Sequence, residues 1–338
     1  MSIPKSKPVA MEIIPPPIVA SVDPSVRFGQ VALTEEAALF RHAMNREMMA
    51  FFRSLPPSTH TDAVVFCMQH FRTPFFPAFD YFRNYPSPSW SVIHWIERHD
   101  AGRLLLPPEE GGLARTAHAM ALFLHPLDDH LNDGQLPATH LHLLLRSQAW
   151  LRMHAALEQL AIGVPERAAL VRGFIDAYYT SIASPPAIPT LDGYGTHFRN
   201  QMATGLIVPV LMAKTAAGDA FAAAIETAYG AFGIAWRLLD DLQDMAADMA
   251  SGSHSAIYFC LPAAIQKQWD RPPRRDDRER CDAILTAVKN GGIVETISAK
   301  IRTELIQAAS AMDAVQMTGM AEELRCLARP FTEAPDRI

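Results

Sequence analysis

The stretches LFLHPLDDHLNDG (122–134) and AWRLLDDLQDMAADMASG (235–252) decide the fold, because each leads a run of apolar residues into a cluster of acids. In the second stretch, Asp240, Asp244 and Asp248 recur every four residues, which places them on one face of an α-helix. Carboxylates at this spacing repel one another, and they lie toward the C-terminus, where the helix dipole disfavours negative charge. No basic residue follows the acids within this stretch. The pattern therefore predicts a cation at this helix end.

Both acid clusters continue apolar helix faces. The face of the second cluster leads back to Trp236 and Tyr229, and the face that ends at Asp128 leads back to Leu124 and Ala117. Two such helices facing each other would enclose an apolar cavity with a carboxylate rim. Oxygen ligands of this kind suit Mg2+, which binds through a few carboxylates together with substrate phosphates. The sequence thus predicts a hydrocarbon ligand that carries a diphosphate.

Pro126 leaves two interpretations of the first cluster. It could open a new helix, with Asp128 in a favourable first turn, or it could kink the end of one longer helix. Because Gly134 and Pro137 follow soon afterwards, a new helix would be very short. We predict the kinked end.

Composition places the chain among water-soluble proteins with a large core. It has 338 residues, of which 49% are hydrophobic and 20% charged, and a formal net charge of −6. The absence of a basic stripe argues against a nucleic-acid partner. The four cysteines lack the spacing of a zinc site or a disulfide framework. We find no signal peptide and no apolar run of membrane-spanning length, so a cytoplasmic protein is expected.

Helical periodicity dominates from Thr34, a candidate N-cap, and strand signals are nearly absent. We predict a flexible Pro-rich segment over 1–30 and a single all-α domain over 31–330. The charged loop Asp270–Asp282 is predicted to be exposed, and its arginines are either solvated or part of a lid over the acids. Those arginines are Arg271, Arg274, Arg275 and Arg278. Helices are predicted over 35–55, 61–72, 91–99, 112–132, 139–162, 165–182, 195–216, 218–250, 255–268, 278–289 and 292–328.

The motif DDLQDMAAD, which begins at Asp240, resembles the second aspartate-rich motif of the trans-isoprenyl diphosphate synthases. Its 0/4/8 spacing is also that of the magnesium triad of class I terpene cyclases. LDDHLND resembles the first motif of this superfamily, DDxxD, with Asn132 at the place of the last acid and Asp133 after it. The resemblance implies an all-α bundle of the class I isoprenoid synthase type with a central apolar cavity. It also implies three Mg2+ ions, a prenyl diphosphate substrate and a possible homodimer.

A third likeness lies in HFRNQMATGLIVPVL (197–211). It is similar to the helix that carries a diphosphate-sensing arginine and a helix break in the cyclases. The resemblance assigns Arg199 as the sensor and Thr204-Gly205 as the break, and Arg237 is a further candidate for diphosphate binding.

The resemblance also has departures. A chain-elongating synthase needs a second diphosphate site, which the family builds from a GGKR-like segment upstream of the first motif and an RRG segment just after it. Neither is present in this sequence. One diphosphate site favours a terpene synthase that cyclises its substrate or eliminates a proton from it, classed as a carbon–oxygen lyase. The alternatives are a divergent chain-elongating synthase and, from a different class, a non-catalytic subunit that regulates another synthase.

The candidate site falls into three groups of residues. Asp128, Asp129, Asp240 and Asp244 are the expected catalytic residues, acting through the metal. The expected metal ligands are Asp128, Asp129, Asn132, Asp133, Asp240, Asp241, Asp244 and Asp248. The expected cavity residues are Phe75, Phe76, Phe79, Trp95, Leu124, Phe198 and Trp236.

Overall fold

Every regular element is helical in the part of the chain that the computed structural model describes, and no strand occurs there. This confirms the all-α prediction. None of the described helices is both long and apolar enough to cross a membrane. The described residues are 26–99, 107–162, 164–183, 188, 190–272 and 278–331.

The helices follow the predicted pattern, with four of the eleven predicted helices divided in two. Thr34 is the N-cap of the first helix, and its hydroxyl accepts a hydrogen bond from the Ala37 N–H at 3.1 Å. The helices are α1 Glu35–Ser54, α2 His60–His70, α3 Pro88–Glu97, α4 Pro108–Asn132, α5 His140–Ala161, α6 Pro165–Ala183, α7 Leu191–Gln201, α8 Ala203–Ala217, α9 Asp219–Gln243, α10 Met245–Ser251, α11 Ala256–Cys260, α12 Ala263–Trp269, α13 Arg278–Asn290, α14 Ile293–Ala314 and α15 Thr318–Ala328.

The first acid cluster lies at the end of one long helix, α4, which contains Pro126. A proline ring removes the N–H that would bond the carbonyl four residues earlier, here that of Leu122. The Tyr85 hydroxyl donates to this carbonyl at 3.1 Å instead. Because the freed carbonyl has a partner, the helix continues past the proline to Asn132. The prediction that Pro126 does not open a new helix is confirmed, because one continuous helix contains it.

The second acid cluster spans the joint between α9 and α10. The Asp244 N–H donates to the Asp240 carbonyl at 2.8 Å, and the Asp248 N–H donates to the Asp244 carbonyl at 3.0 Å. These bonds keep the helical spacing across the joint, so the three acids still follow one another at intervals of four residues. The helix stops at Gly252, whose φ of 76° is a left-handed conformation that glycine adopts without strain.

The predicted helix 195–216 breaks at Met202, between α7 and α8. The sequence prediction placed this break at Thr204-Gly205, which lie instead in the first turn of α8. The Met202 side chain packs against the backbone of Gly233, where a Cβ would lie 1.9 Å from the Met202 sulfur. Only a glycine on α9 allows this approach.

Residues 26–30 fall within the predicted flexible segment, but they pack against the helical domain. The Gly29 N–H donates to the Leu327 carbonyl at 3.1 Å, and a Cβ on Gly29 would lie 1.9 Å from the Cys326 carbonyl oxygen. Residues 26–30 are therefore held against α15. Residues 1–25 lie outside the described residues.

The core surrounds α9, which packs against α8 on one side and α14 on the other. Phe232 and Tyr229 of α9 and Ile297 and Ile301 of α14 are almost fully buried. Each such side chain contributes about 1.5–3 kcal/mol by leaving water. This packing fixes the position of the acids at the end of α9.

The space between α4 and α9 is filled by side chains in this structure. The His125 ring lies 5.8 Å from that of Phe198 and 6.2 Å from that of Trp236, and the Tyr85 ring lies 5.6 Å from that of Trp236. Cavities of about 770, 360 and 300 Å3 occur at other places, the largest of them between α5 and α6. The apolar walls are present as predicted, but aromatic side chains occupy the place of the expected central cavity.

Candidate functional site

Arg237 joins the two acid clusters. Its Nε lies 2.8 Å from the Tyr194 hydroxyl and 3.0 Å from Oδ1 of Asp241. Its Nη1 lies 3.6 Å from Oδ2 of Asp240 and 4.0 Å from Oδ2 of Asp129. The ends of α4 and α9 therefore meet around one guanidinium.

Both carboxylate oxygens of Asp241 contact groups of the protein itself. It is 1% exposed and accepts hydrogen bonds from the Tyr194 hydroxyl at 3.2 Å and the Ala256 N–H at 2.7 Å, in addition to the ion pair with Arg237. Burial raises the pKa of this carboxyl, and Arg237 opposes that shift. Both oxygens are engaged, so this geometry does not support the prediction that Asp241 is a metal ligand.

The protein compensates the charge of Asp240 and Asp248 only in part. Loss of water around Asp240 raises its pKa to about 7 against the attraction of Arg237, and nearby Asp244, Asp241 and Asp129 add to the shift. Burial, with a contribution from Asp241, also raises the pKa of Asp248 to about 7. Oδ2 of Asp248 is buried and has no hydrogen-bond partner among the described residues. An orphaned carboxylate oxygen beside crowded acids fits a divalent cation.

Asp128 turns away from this cluster, which corrects its expected role as a catalytic residue and metal ligand. Arg146 of α5 pairs with both of its oxygens, at 2.7 and 3.2 Å. The Tyr178 hydroxyl and the Trp150 indole N–H donate to Oδ2 at 2.9 and 3.3 Å. The carboxylate is 5% exposed and ties α4 to α5 and α6. Its physical role in this geometry is to hold three helices together.

Asp129 and Asp133, rather than Asp128, are the acids of α4 that lie near Arg237. Asp129 faces Arg237. Desolvation is the largest factor that raises the pKa of Asp133, and both Asp129 and Arg237 lie close enough to affect that pKa as well. The two acids are four residues apart, so the motif is displaced by one residue, with His130 in its second place. Asn132, a predicted metal ligand, is exposed at the helix end, and no contact places it with the other acids.

A half-buried histidine, His125, lies one helical turn before Asp129. Its ring lies between Phe198 and Trp236, and desolvation lowers its pKa. The guanidinium carbon of Arg237 lies 5.5 Å from the centre of the Phe198 ring. These aromatic rings form the apolar side of the acid cluster, and Leu124 is buried in the adjacent core. The cavity roles of Phe198, Trp236 and Leu124 remain predictions.

His70 and His130 face each other beside Asp133. Nε2 of His70 lies 2.7 Å from Nδ1 of His130. Desolvation is the largest factor that lowers the pKa of each ring, and each is therefore mostly neutral near pH 7.

Arg199 does not reach the acids, which corrects its expected role. It pairs with Glu226 at 3.0 Å and packs beside Gly230, where a Cβ would lie 2.8 Å from its Nε. Gly230 precedes Asp240 by ten residues, which is roughly 15 Å along a helix. Thr204 is buried near the start of α8. Gly205 lies against Tyr229, which is next to Gly230 on α9 and therefore equally far from Asp240 along that helix. Of the four predicted diphosphate ligands, Arg237 is the one placed at the acids.

Four predicted cavity residues lie elsewhere. Phe75 and Phe76 are 50% and 89% exposed, because the proline-broken segment that carries them leaves the bundle. Phe79 packs edge-on against Phe52. The Trp95 indole donates to the buried Glu323 carboxylate at 2.9 Å, which anchors it to α15.

Sequence reasoning missed Tyr194, Arg146, Tyr178 and the histidines at the site. His130 could have been found, because it stands inside the acidic motif. The others reach the site from distant helices, and no local pattern marks them.

Among the residues that the structure describes, no group of three or more His, Cys, Asp or Glu is arranged to hold a metal ion. A metal at the acid cluster therefore stays a prediction.

The arginine-rich loop is only partly described. Arg271 and Arg278 are exposed, and Arg274 and Arg275 lie outside the described residues, so the lid remains a prediction. Arg280 is buried and donates to the carbonyls of Met249, Gln268 and Trp269 at 2.8 to 3.0 Å. It thereby holds the end of α10, next to Asp248.

No protein-family model matches the chain, and no curated protein matches it in sequence. Solved structures match its fold. A polyprenyl synthase from Caulobacter crescentus CB15, complexed with calcium and isoprenyl diphosphate, is 13% identical with a TM-score of 0.62, over 90% of this chain and 98% of that one. A polyprenyl synthetase from Streptomyces coelicolor A3(2) is 16% identical with a TM-score of 0.61, over 89% and 100%.

A geranylgeranyl pyrophosphate synthase from Corynebacterium glutamicum, complexed with isoprenyl diphosphate and magnesium, is 14% identical with a TM-score of 0.57, over 90% and 99%. At these identities the match concerns the fold. The chain has the fold of the trans-isoprenyl diphosphate synthase superfamily, which its two aspartate-rich segments predicted.

Proposed function

We propose that the protein is a divalent-metal-dependent enzyme that ionises an allylic prenyl diphosphate at the acid cluster around Arg237. The observation that carries this proposal is the meeting of Asp129 with Asp240 around one arginine, between two acid-bearing helix ends. The orphaned oxygen of Asp248 supports a cation there. The matched synthases with bound isoprenyl diphosphate and a divalent ion support the ligand class.

The residues that would hold the metal are Asp129 and Asp133 on α4 and Asp240, Asp244 and Asp248 on α9 and α10. Bound Mg2+ would act as a Lewis acid on the departing diphosphate oxygens. We retain a requirement for Mg2+ as the proposal, and the number of ions, three, remains the expectation from the resemblance.

Arg237 would bind the departing diphosphate. Its Nε is held by Tyr194 and Asp241, which fixes the plane of the guanidinium. Its Nη1 lies beyond hydrogen-bonding distance of Asp240 and Asp129, so this donor can bind an anion placed between them. A preorganised donor of this kind stabilises charge that develops on the leaving group.

Phe198 and Trp236 would face the allylic cation. Aromatic faces attract cations, and Trp does so most strongly. Apolar walls also keep water from quenching the cation. The prenyl chain would have to displace the rings that now fill the space between α4 and α9.

Prenyl transfer is the reaction that the comparisons favour, because the matched structures are polyprenyl and geranylgeranyl synthases. In this reaction the cation is attacked by the double bond of isopentenyl diphosphate, which lengthens the chain. Cyclisation or elimination is the second candidate. It is favoured by the absence of the GGKR-like and RRG segments that would bind a second diphosphate.

Product analysis tests both candidates. Purified protein with Mg2+ is incubated with allylic diphosphates of increasing length, with and without isopentenyl diphosphate. We expect diphosphate release only when isopentenyl diphosphate is present, together with elongated diphosphates, because the prenyl cation needs this acceptor. Hydrocarbons or alcohols formed without it would favour the lyase. No diphosphate release in either case, together with copurification of an active synthase, would support the non-catalytic subunit.

Metal binding should depend on pH in a defined direction. The folded pKa values of Asp240 and Asp248, about 7, lie above their ordinary value of 3.8. A raised folded pKa contributes stability below the unfolded pKa, and this stability is lost as the pH rises through about 7. Without metal, the loss of stability caused by ionising Asp240 and Asp248 is therefore complete at pH values above about 7.

We expect Mg2+ to raise the Tm more at a pH above this range than at a mildly acidic one, measured by calorimetry. Asp248→Asn should raise the Tm of the metal-free protein at the higher pH by roughly 2–4 °C and reduce the gain from Mg2+. Asp282→Asn, at an exposed acid of α13, is the matched control and should change neither. An equal gain from Mg2+ at both pH values would contradict the assignment.

A further inference from the structure

The imidazoles of His70 and His130 come from two different helices and meet at their ring nitrogens. His70 is the last residue of α2, and His130 lies in the last turn of α4. Nε2 of the first lies 2.7 Å from Nδ1 of the second, and the ring planes cross at 79°. The two nitrogens are therefore within hydrogen-bonding distance of each other, beside the acid cluster.

Aromatic neighbours hold both rings in place. The His70 ring stacks on Phe66 at 5.3 Å with an interplanar angle of 8°. The His130 ring stacks on Phe71 at 5.9 Å with an angle of 27°. Because both rings are packed, the direction of their nitrogens is fixed before any ligand binds.

The separation of the nitrogens is close to that of two ligands on one metal ion. Imidazole nitrogens bind Zn2+ at 2.0–2.1 Å, so two of them on one ion lie roughly 2.9–3.4 Å apart. The pair would have to open by a few tenths of an ångström. Nearby carboxylates could supply further ligands to such an ion. Asp129, Asp133 and Asp244 all lie close enough to His130 to affect its pKa.

We propose that His70 and His130 form a binding site for a divalent transition ion such as Zn2+ or Co2+, completed by Asp133 or by water. Imidazole favours such ions over Mg2+, which prefers oxygen ligands alone. Asp133 is exposed at the end of α4 and would move to complete the site, since no group of three ligands is preformed among the described residues. The site shares Asp133 with the proposed Mg2+ site, but its test concerns metal binding alone and needs no substrate.

Spectroscopic titration with Co2+ tests the site without substrate. CoCl2 is added to protein freed of metal by chelation, and the visible absorption and the dissociation constant are measured. His70→Gln and His130→Asn are the test variants. Each amide can retain a hydrogen bond at the position of the lost ring nitrogen but is a poor ligand for the ion. His154→Gln, at a ring that packs against Trp150 of α5, is the matched control.

We expect Co2+ bound to the wild-type protein and the control to show the absorption of nitrogen ligation. In both test variants this absorption should be lost and the affinity should fall at least about tenfold. Unchanged absorption and affinity in the test variants would overturn the site and leave the pair as a hydrogen bond between α2 and α4. In that case Mg2+-dependent diphosphate release by the wild-type protein would still support the proposed reaction, so the two failures are distinguishable.

Discussion

Asp129→Asn should lower kcat for diphosphate release on the order of 1,000-fold, whereas the same change at Asp128 should act mainly on folding. Asp129 faces Arg237 and the acids of α9, so its charge is needed at the proposed metal site. Asp128 is bound by Arg146, Tyr178 and Trp150, away from that site. Removing one member of a buried ion pair costs about 3–5 kcal/mol, less where the partner is partly exposed, as Arg146 is.

The two variants should be compared by kcat at a temperature at which both are folded, and by denaturant unfolding. Arg146→Met supplies a second test of the structural role, because it breaks the same ion pair without touching the acidic motif. We expect Arg146→Met and Asp128→Asn to lower the unfolding free energy while diphosphate release per folded molecule stays near that of the wild type. Loss of release in Asp128→Asn with an active Asp129→Asn would restore the original motif and reject the displaced one.

The displacement of the first motif shows how far the sequence alone could lead. Acids at a helix end, an apolar face before them and a second acidic helix were enough to predict the fold and the pair of segments that meet. The sequence cannot distinguish Asp128 from Asp129, since both are acids in the same turn. The difference arises from Arg146, which is 18 residues away on α5 and pairs with Asp128.

The same reason explains the error at Arg199. Its position before a helix break matched the expected pattern, but α7 ends at Gln201 and the Arg199 side chain pairs with Glu226 of α9. Arg237 precedes Asp240 and Asp241 by three and four residues, so helical spacing alone brings it to both acids. A contact within one helix could be predicted from spacing, and contacts between helices could not. Cavity residues were the least predictable, because aromatic side chains such as Phe79 and Trp95 serve equally well as core.

Arg237→Gln should lower kcat/KM for the prenyl diphosphate by on the order of 100- to 1,000-fold, because the donors that face the departing diphosphate are lost. The same change leaves Asp241 buried without a cation, and Asp241 is 1% exposed. An unpaired buried charge costs about 3–5 kcal/mol, so the variant should also be markedly less stable. A single substitution therefore cannot separate a role in catalysis from a role in folding.

The double variant Arg237→Gln/Asp241→Asn separates the two roles. With Asp241 neutral, the buried charge disappears, and the Asn side chain can still accept a hydrogen bond from Tyr194 or the Ala256 N–H. We expect the unfolding free energy to recover toward that of the wild type while diphosphate release remains low. Tyr194→Phe is the matched control, because it removes one partner of Arg237 without changing any charge, and its loss of activity should be much smaller. Recovery of activity together with stability in the double variant would mean that Arg237 serves only to balance the charge of Asp241, and that the diphosphate is bound by other groups.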